Sequence, residues 1–350
     1  MTTTTPATRV NQCTLRSGIT RTLEFEKKKL AAFAVNCGIA CGHECAYCST
    51  KALLRMHKGF TGCGESPFGS GFAIVDPDTP DRVARDAKRI RNRNLIQLCT
   101  VVDAWAPEAQ EHQIGRRCLQ AILAEPGWSV RILTKNTAVR NDFDLIEEHR
   151  DHVLVGLSLT ATPEKAGVMQ IIEPNGSSNR DRVLAMAEAA ARGLRTYGML
   201  CPLLPEIADA PDQIDRLVKL AVQFKAEEIF VEPVNPRGQG LRLCQEALES
   251  HGFTVEAAAI AKIRSRRNWS HYVVDLIGNV QRSMRQHSDI SKLRFLLYPS
   301  RLLPKHVETI KKDDVGVIWL AKQVEEGSDL RQPALPMPTL FEGETDADAQ

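Results

Sequence analysis

Short apolar runs alternate with amphipathic stretches between residue 31 and about residue 235 of this 350-residue chain. The runs are rich in Val, Ile and Leu and are bounded by polar residues, a pattern typical of buried β-strands. They predict six strands, at residues 32–36, 95–101, 129–134, 153–159, 194–201 and 229–234.

The stretches between these runs carry apolar residues at helical spacing, most clearly at residues 107–125, 179–192 and 211–225. Pro107 suits the first turn of a helix, and Gly193 suits the position just after one. Repeated strand–helix alternation predicts an α/β protein with a parallel sheet. A doubly wound sheet and a full or partial (β/α) barrel both satisfy this pattern.

Polar and sulfur-containing side chains gather where the predicted strands end. In both folds, ligands bind at the carboxyl ends of parallel strands. Residues of this kind at or just beyond those ends are Asn36, Cys37, Cys99, Thr100, Asp103, Thr134, Lys135, Asn136, Ser158, Thr160, Cys201, Glu232 and Asn235. The pattern therefore predicts one active site at the mouth of the sheet.

Domain boundaries follow from where the alternation begins and fades. We expect an N-terminal segment at residues 1–30, a core at 31–235 and a C-terminal α/β extension at 236–330. The extension contains helical segments, then a candidate strand at 293–298 and an apolar run at 315–321. Residues 331–350 are rich in proline and acidic residues, which predicts a disordered acidic tail.

Composition adds a few constraints. The formal net charge is +2, so the charge neither requires nor excludes a nucleic-acid partner. No apolar run approaches the about 18 residues of a membrane span, and the N-terminus has no secretory pattern, so we expect a cytoplasmic protein without membrane contact. Basic clusters at residues 27–29, 88–93 and 262–267 are interpreted as solvated faces.

Four of the ten cysteines fall in one short segment, and three of them, Cys41, Cys45 and Cys48, form the pattern C-x3-C-x2-C. Cysteine thiolates hold iron–sulfur clusters. Three ligands on a four-iron cubane leave one iron open, which could chelate the amine and carboxylate of S-adenosylmethionine (SAM). The spacing therefore predicts a [4Fe-4S] cluster that cleaves SAM reductively to release a 5′-deoxyadenosyl radical.

A structural zinc site that also uses Cys37 is the alternative interpretation of the segment. Zinc sites favour two cysteine pairs with a longer spacer, whereas these cysteines are crowded and are expected directly after the first strand. Cys37 is the surplus thiol, either a buried residue at the strand end or an accessory ligand.

The cysteine segment, with Asn36 and His43 framing it, resembles the radical SAM superfamily and, more narrowly, the spore photoproduct lyase-like family. Further matches follow in order through residues 98–100, 132–142, 157–160, 173–182 and 199–205. The resemblance implies a partial (β/α)6 barrel of the TIM type with a C-terminal extension. It also implies the [4Fe-4S] cluster and SAM as cofactors, and a reductant such as flavodoxin or ferredoxin.

The resemblance assigns roles to several residues. Lys135 and Ser158 would contact SAM, as would Thr100, and Tyr47 beside the last cluster ligand is included with them. An ammonium group at a strand end suits a carboxylate or ribose oxygens, although Lys135 could also be an ordinary surface lysine.

Cys99 stands where the lyases carry the thiol that donates a hydrogen atom to the substrate radical. A buried core cysteine is the alternative interpretation. Val101 departs from the family, which has serine there, and residues 103–108 resemble uncharacterised relatives instead.

Trp269, His271 and Tyr272 resemble a lyase segment that contacts damaged DNA, with His271 in place of arginine. Together with nearby arginines they could stack a base and meet phosphates, so His271 and Tyr272 are candidate substrate-binding residues. An amphipathic helix with a solvated basic face remains the alternative.

Three functions stay open on the sequence alone. The first is a radical SAM enzyme acting on nucleic acid, with lyase-type repair of pyrimidine dimers as its specific form. The second keeps the cofactor chemistry but modifies RNA, a peptide or a small metabolite. The third is a zinc- or cluster-binding scaffold without catalytic activity.

Overall fold

The structure is a computed structural model that describes residues 8–236 and 238–320. The strands are β1 (Arg9–Gln12), β2 (Ile19–Arg21), β3 (Phe33–Val35), β4 (Gly38–Ala40), β5 (Phe72–Val75), β6 (Leu95–Leu98), β7 (Ser129–Thr134), β8 (Val153–Leu157), β9 (Arg195–Thr196), β10 (Gly198–Leu203), β11 (Ile229–Pro233), β12 (Leu293–Leu297) and β13 (Val317–Trp319).

The main sheet has the order β2-β3-β6-β7-β8-β9, and β10-β11-β12-β13 continue it. A parallel bridge between Ser158 and Met199 links the two parts. All of these strand pairs are parallel except β2 with β3. Parallel strands joined by helices are the α/β class, so the predicted fold class is confirmed.

The helices are α1 (Leu23–Lys27), α2 (Thr50–Leu53), α3 (Lys58–Gly62), α4 (Thr79–Arg89), α5 (Pro107–Gln110), α6 (Ile114–Leu123), α7 (Phe143–Glu148), α8 (Ala166–Ile172), α9 (Asn179–Ala191), α10 (Pro211–Gln223), α11 (Gly240–Ser250), α12 (Thr254–Lys262), α13 (Arg266–His287) and α14 (Pro304–Lys311). Their apolar faces share one buried cluster with alternate strand residues, for example Leu119 of α6 with Ile132 of β7.

The opposite face of the strands contributes a second apolar cluster, which includes Tyr197, Met199, Phe230 and Leu296. Successive residues of a strand point to opposite faces, so strands buried on both faces must be apolar throughout. This explains why the sequence shows continuous apolar runs. It also leaves the strand ends as the place where polar side chains can collect.

Two predicted elements are each divided in the structure. The predicted helix at residues 107–125 is α5 and α6, separated by Gln113, whose backbone is left-handed with φ of 49°. The predicted strand at residues 194–201 is β9 and β10, because the chain changes neighbours at Tyr197, from β8 to β11.

The expectation that the cysteine segment comes directly off the first strand is wrong. A separate strand, β4, lies between β3 and the cysteines, and it pairs antiparallel with β5. β1 completes this small sheet by pairing parallel with β5. Ile39 of β4 packs against Phe72 and Ile74 of β5, so burial of these side chains holds β4 in place.

The candidate strand at 293–298 is present as β12, and the apolar run at 315–321 contains β13; both strands extend the main sheet beyond β11. The long helix α13 packs beside α10 and α14. The domain boundaries stay a prediction, and the expected acidic tail at 331–350 lies outside the described residues. No helix in residues 8–236 and 238–320 is both long enough and apolar enough to span a membrane.

Candidate active site

The cysteine loop, residues 41–48, follows β4 and is tied to the connections after β6 and β8. The Gly42 amide donates to Glu108 Oε1 at 2.8 Å, and Asn175 Nδ2 donates to the Gly42 carbonyl at 2.8 Å. The Ala46 amide donates to the Ile172 carbonyl at 2.9 Å. An added Cβ at residue 42 would lie 2.5 Å from Glu108 Oε2, so any larger residue would require the Glu108 carboxylate to move.

The three thiols of this loop differ in exposure. Cys41 and Cys45 are half-buried, and Cys48 is exposed. Burial raises the pKa of the Cys41 thiol well above its usual value and raises that of Cys45 to about 12. Within the described residues, no three His, Cys, Asp or Glu side chains are gathered closely enough to hold a metal ion. The sulfur atoms are therefore not preassembled around a metal.

The residues of the loop nevertheless fit a bound group by their chemistry. Three thiols on one short, anchored loop are the donor set that an iron–sulfur cluster uses. His43, in the middle of the loop, has a buried Nε2 atom without a hydrogen-bond partner among the described residues. A buried polar atom of this kind is expected where a bound group completes the site.

A buried ion pair lies next to the cysteine loop and contacts Tyr47. Glu173 and Arg182 are both buried, and Arg182 Nη2 lies 2.5 Å from Glu173 Oε2. The Tyr47 hydroxyl donates to Glu173, and Thr160 Oγ1 donates to Glu173 Oε1 at 2.8 Å. Burial alone would raise the pKa of Glu173, but the charges of Arg182 and Lys135 outweigh it and lower the pKa to about 2. Glu173 is therefore a carboxylate that fixes Tyr47.

Lys135 and Ser158 come together as the sequence predicts. Lys135 follows β7, Ser158 follows β8, and the Lys135 ammonium donates to Ser158 Oγ at 2.8 Å. Ser158 Oγ in turn donates to the Cys201 carbonyl at 2.6 Å. The Lys135 ammonium also lies 5.8 Å from the centre of the Tyr47 ring. A fixed cation and a hydroxyl thus stand beside the cysteine loop.

Asp103 organises the neighbouring strand ends. Its carboxylate accepts hydrogen bonds from Thr134 Oγ1 at 2.8 Å, from the Lys135 amide at 2.9 Å and from the Trp105 amide at 2.9 Å. His43 Nδ1 lies 3.4 Å from Asp103 Oδ2. Burial lowers the pKa of His43, which favours the neutral imidazole. Asp103 therefore connects the cysteine loop to the end of β7.

The ends of β3 and β6 are joined by Asn36. Its side-chain oxygen accepts from the amides of Thr100 at 2.9 Å and Val101 at 3.0 Å, and its amide donates to Thr100 Oγ1 at 2.9 Å. Beside this bridge, the sulfur atoms of Cys37 and Cys99 are 3.8 Å apart. Cys99 has a left-handed backbone with φ of 61°, and both thiols are buried.

The basic cluster at residues 27–29 is not a solvated face throughout, which corrects that expectation. Lys28 is buried, and its ammonium lies 3.6 Å from Glu232 Oε1 at the end of β11. The Cys201 thiol approaches the other oxygen of Glu232 at 3.6 Å. Burial would lower the pKa of Lys28, but the Glu232 charge and the contact with Tyr298 raise it overall. Lys28 and Glu232 thus form a charge pair beside the carboxyl end of β11.

The two candidate substrate-binding residues lie on α13, away from the cysteine loop in sequence. His271 is exposed, and its ring meets the His306 ring edge to face with centres 4.4 Å apart. Tyr272 is buried, and its hydroxyl donates to the Leu203 carbonyl at the end of β10 at 2.5 Å. Their role in substrate binding stays a prediction.

Two residues that anchor the cysteine loop, Glu108 and Asn175, were not singled out from the sequence. Glu108 lies on α5 and Asn175 follows α8, and neither directly follows a predicted strand. Asp103 and Glu232 were among the polar residues predicted at the strand ends. Lys28 looked like one member of an exposed basic run, and nothing in the sequence pattern reveals its burial.

Curated proteins similar to this chain are uncharacterized. One from Acidianus two-tailed virus is 24% identical over 226 residues, covering 62% of this chain and 71% of the relative. One from Methanocaldococcus jannaschii is 25% identical over 179 residues, covering 51% of this chain and 63% of the relative. One from Mycobacterium tuberculosis is 23% identical over 210 residues, covering 59% of each. No protein-family model matches the chain.

Solved structures match over a larger part of this chain than these relatives do. Spore photoproduct lyase in complex with dinucleoside spore photoproduct matches with a TM-score of 0.56 at 14% identity, over 79% of each chain. A variant of that lyase with bound AdoMet and dinucleoside spore photoproduct matches with a TM-score of 0.52 at 14% identity, over 73% of this chain and 74% of that one.

These matches define the class of fold. The chain has an α/β fold with a partial barrel as its core, the class of fold to which these lyase structures belong. Within that class its fold is that of spore photoproduct lyase, and the resemblance predicted from the sequence is confirmed at the level of fold.

Proposed function

We propose that the protein is a radical SAM enzyme that uses Cys41, Cys45 and Cys48 to hold a [4Fe-4S] cluster. The observation that carries the proposal is the side-chain set around the cysteine loop: Lys135 donates to Ser158 beside Tyr47, at the carboxyl ends of parallel strands. When bound, the cluster supplies the electron that splits SAM into methionine and a 5′-deoxyadenosyl radical.

The chain's own residues bind and orient SAM in this proposal. Lys135 offers a charged donor for the carboxylate or ribose oxygens, and Ser158 orients that donor through the 2.8 Å hydrogen bond. Asn36 holds Thr100 at the adjacent strand end, where it adds a further hydroxyl. Glu173 fixes Tyr47, which closes the site next to Cys48.

Cys99 is the proposed hydrogen-atom donor to the substrate radical. The hydrogen bond to Cys37 lowers the pKa of the Cys99 thiol, but burial and the nearby Asp103 charge outweigh it and leave the pKa raised. The thiol therefore keeps its proton at neutral pH. A hydrogen-atom donor must carry this S–H bond, so the environment of Cys99 suits the role.

Nucleic acid is the proposed substrate, with repair of a pyrimidine dimer in DNA as its specific form. Two features support it: the likeness of the fold to a lyase solved with a dinucleoside photoproduct, and the exposed basic face of α13 near His271. Arg264, Arg266 and Arg267 are exposed on that side, where they could meet phosphates. The electron for SAM cleavage would come from a reductant of the flavodoxin or ferredoxin type, as the family resemblance implies.

Restored thymine in UV-irradiated DNA is the test of the substrate. The cluster-loaded protein is incubated without air with SAM, a chemical reductant and irradiated DNA, and the nucleosides are analysed after digestion. We expect a loss of photoproduct and a matching gain of thymine. SAM cleavage without repair would exclude DNA repair as the function and would favour RNA, a peptide or a small metabolite as the substrate.

Lys135→Ala tests the SAM site directly. Removal of the cation should weaken SAM binding by about tenfold or more, because a charged hydrogen bond contributes roughly 1.5–3 kcal/mol. Lys262→Ala on the exposed face of α12 is the matched control and should leave binding unchanged. Equal SAM affinities in the two variants would contradict the assigned role of Lys135.

A further inference from the structure

The thiols of Cys37 and Cys99 form a pair that the cluster and SAM sites do not use. Cys99 directly follows β6, and Cys37 lies two positions beyond β3, the neighbouring parallel strand. Their sulfur atoms are 3.8 Å apart, and both residues are buried.

The backbone on both sides of this pair is held by hydrogen bonds. The Cys99 amide donates to the Val35 carbonyl at 3.0 Å, and the Asp76 amide donates to the Cys37 carbonyl at 2.7 Å. The Thr100 amide is held by Asn36 at 2.9 Å. The two thiols are therefore neighbours because the strand ends are fixed, and they stay neighbours as long as the sheet is intact.

This arrangement suits a covalent bond between the sulfurs. A disulfide holds its two Cα atoms roughly 4.4–6.8 Å apart, and the pairing of Val35 with Leu98 places Cys37 and Cys99 just beyond the paired ends of neighbouring strands. The sulfur separation of 3.8 Å would have to close to about 2.05 Å. We expect rotation of the two side chains to supply this movement.

We propose that Cys37 and Cys99 are a redox modification site that forms a reversible disulfide at the mouth of the sheet. A small disulfide is the oxidant. One of the two protein thiols gives up its proton and attacks this disulfide, so that one small thiol leaves, and the second cysteine then displaces the other small thiol. Two protein thiols lose two electrons and two protons, and the oxidant becomes two thiols.

The consequence for activity rests on the proposed function. Hydrogen donation needs the S–H bond of Cys99, and the disulfide removes it. Oxidation therefore stops the delivery of hydrogen to the substrate radical, while Lys135 and the cysteine loop keep their places. Reduction restores the donor, so the pair acts as a reversible switch for the step after SAM cleavage.

Thiol mapping by mass spectrometry tests the pair without any reading of activity. In the full-length protein, Cys41→Ala, Cys45→Ala and Cys48→Ala remove the three thiols of the cysteine loop and any need for a cluster. This protein is treated with cystamine, quenched with acid, alkylated with N-ethylmaleimide in denaturant and digested. We expect a peptide that links Cys37 to Cys99, its loss after treatment with dithiothreitol, and alkylated Cys244 as the internal buried control.

Single variants in the same background complete the test. With Cys37→Ala or Cys99→Ala, the remaining thiol of the pair should be found free or joined to cysteamine, and no linked peptide should form. If the parent protein instead shows both cysteines free, or both joined to cysteamine, the disulfide is refuted. A linked peptide in this background, together with a reconstituted wild-type protein that cannot cleave SAM, would leave the disulfide standing and refute the proposed function.

Discussion

The side chains of the candidate site come together because they lie at the ends of adjacent strands. Lys135 and Ser158 meet because they follow adjacent parallel strands, and the same holds for Cys99 and Asn36. The sequence was sufficient to predict this gathering, because strand ends can be located from apolar runs. It could not predict which of these residues bond to each other, since that depends on rotamers and on the register of the strands.

Cys99→Ala separates hydrogen donation from SAM cleavage. The variant keeps Lys135, Ser158 and the cysteine loop, so 5′-deoxyadenosine should form at close to the wild-type rate. The substrate radical lacks its donor and should give altered products, which liquid chromatography with mass spectrometry can resolve. Cys118→Ala, at another buried cysteine, is the control. Unchanged products in Cys99→Ala would show that this residue only packs.

Arg182→Ala should be one of the most destabilising single changes in the chain. It leaves the buried Glu173 carboxylate without its charged partner, which typically costs about 3–5 kcal/mol. Urea unfolding followed by circular dichroism measures the loss. Arg192→Ala, which removes an exposed arginine at the end of α9, should cost less than about 1 kcal/mol. Similar losses in both variants would contradict the described ion pair.

The lowered pKa of Glu173 makes a prediction about acid stability. A carboxyl group whose folded-state pKa is depressed stabilises the protein above its unfolded pKa and loses that effect as the pH falls. For Glu173 this stabilisation should be lost as the pH falls from about 4.5 to about 2. The difference in unfolding free energy between wild type and Glu173→Gln should shrink across this range. A difference that does not vary with pH would contradict the assignment.

At the level of elements, the cysteine loop depends on segments far from it in sequence. β4 leads into the loop, α5 supplies Glu108, and the turn after α8 supplies Asn175. The long strands were predicted because their apolar runs are continuous. β4 was not, because three residues are too few to show a periodicity and tertiary packing alone makes them a strand.

Glu108→Ala should loosen the cysteine loop. The buried amide of Gly42 would lose its acceptor, at a cost of about 1–3 kcal/mol, and the thiols would be held less firmly. We expect iron to leave the reconstituted protein several-fold faster in the presence of a chelator, measured by absorbance. Glu108→Gln keeps an acceptor and should restore much of the retention. Wild-type iron release in Glu108→Ala, with the exposed Glu111→Ala as control, would contradict the anchoring role.

At the scale of the whole molecule, the α/β class and the partial barrel were predictable from strand–helix alternation and from the resemblance in the cysteine segment. The division of two predicted elements was not, because Gln113 and Tyr197 mark changes of direction or neighbour that no apolar pattern records. The same limit applies to substrate. The strand ends indicate where the site lies, whereas the substrate depends on surfaces around the site that no apolar pattern describes.

Cleavage of SAM by the reconstituted protein decides whether Cys41, Cys45 and Cys48 hold a catalytic [4Fe-4S] cluster. The chain is loaded with iron and sulfide without air, reduced and given SAM, and 5′-deoxyadenosine is quantified beside Cys41→Ala, Cys45→Ala and Cys48→Ala variants. We expect 5′-deoxyadenosine and methionine in equal amounts from the wild type and none from the variants. A protein that holds zinc through its cysteines and leaves SAM intact would contradict this expectation.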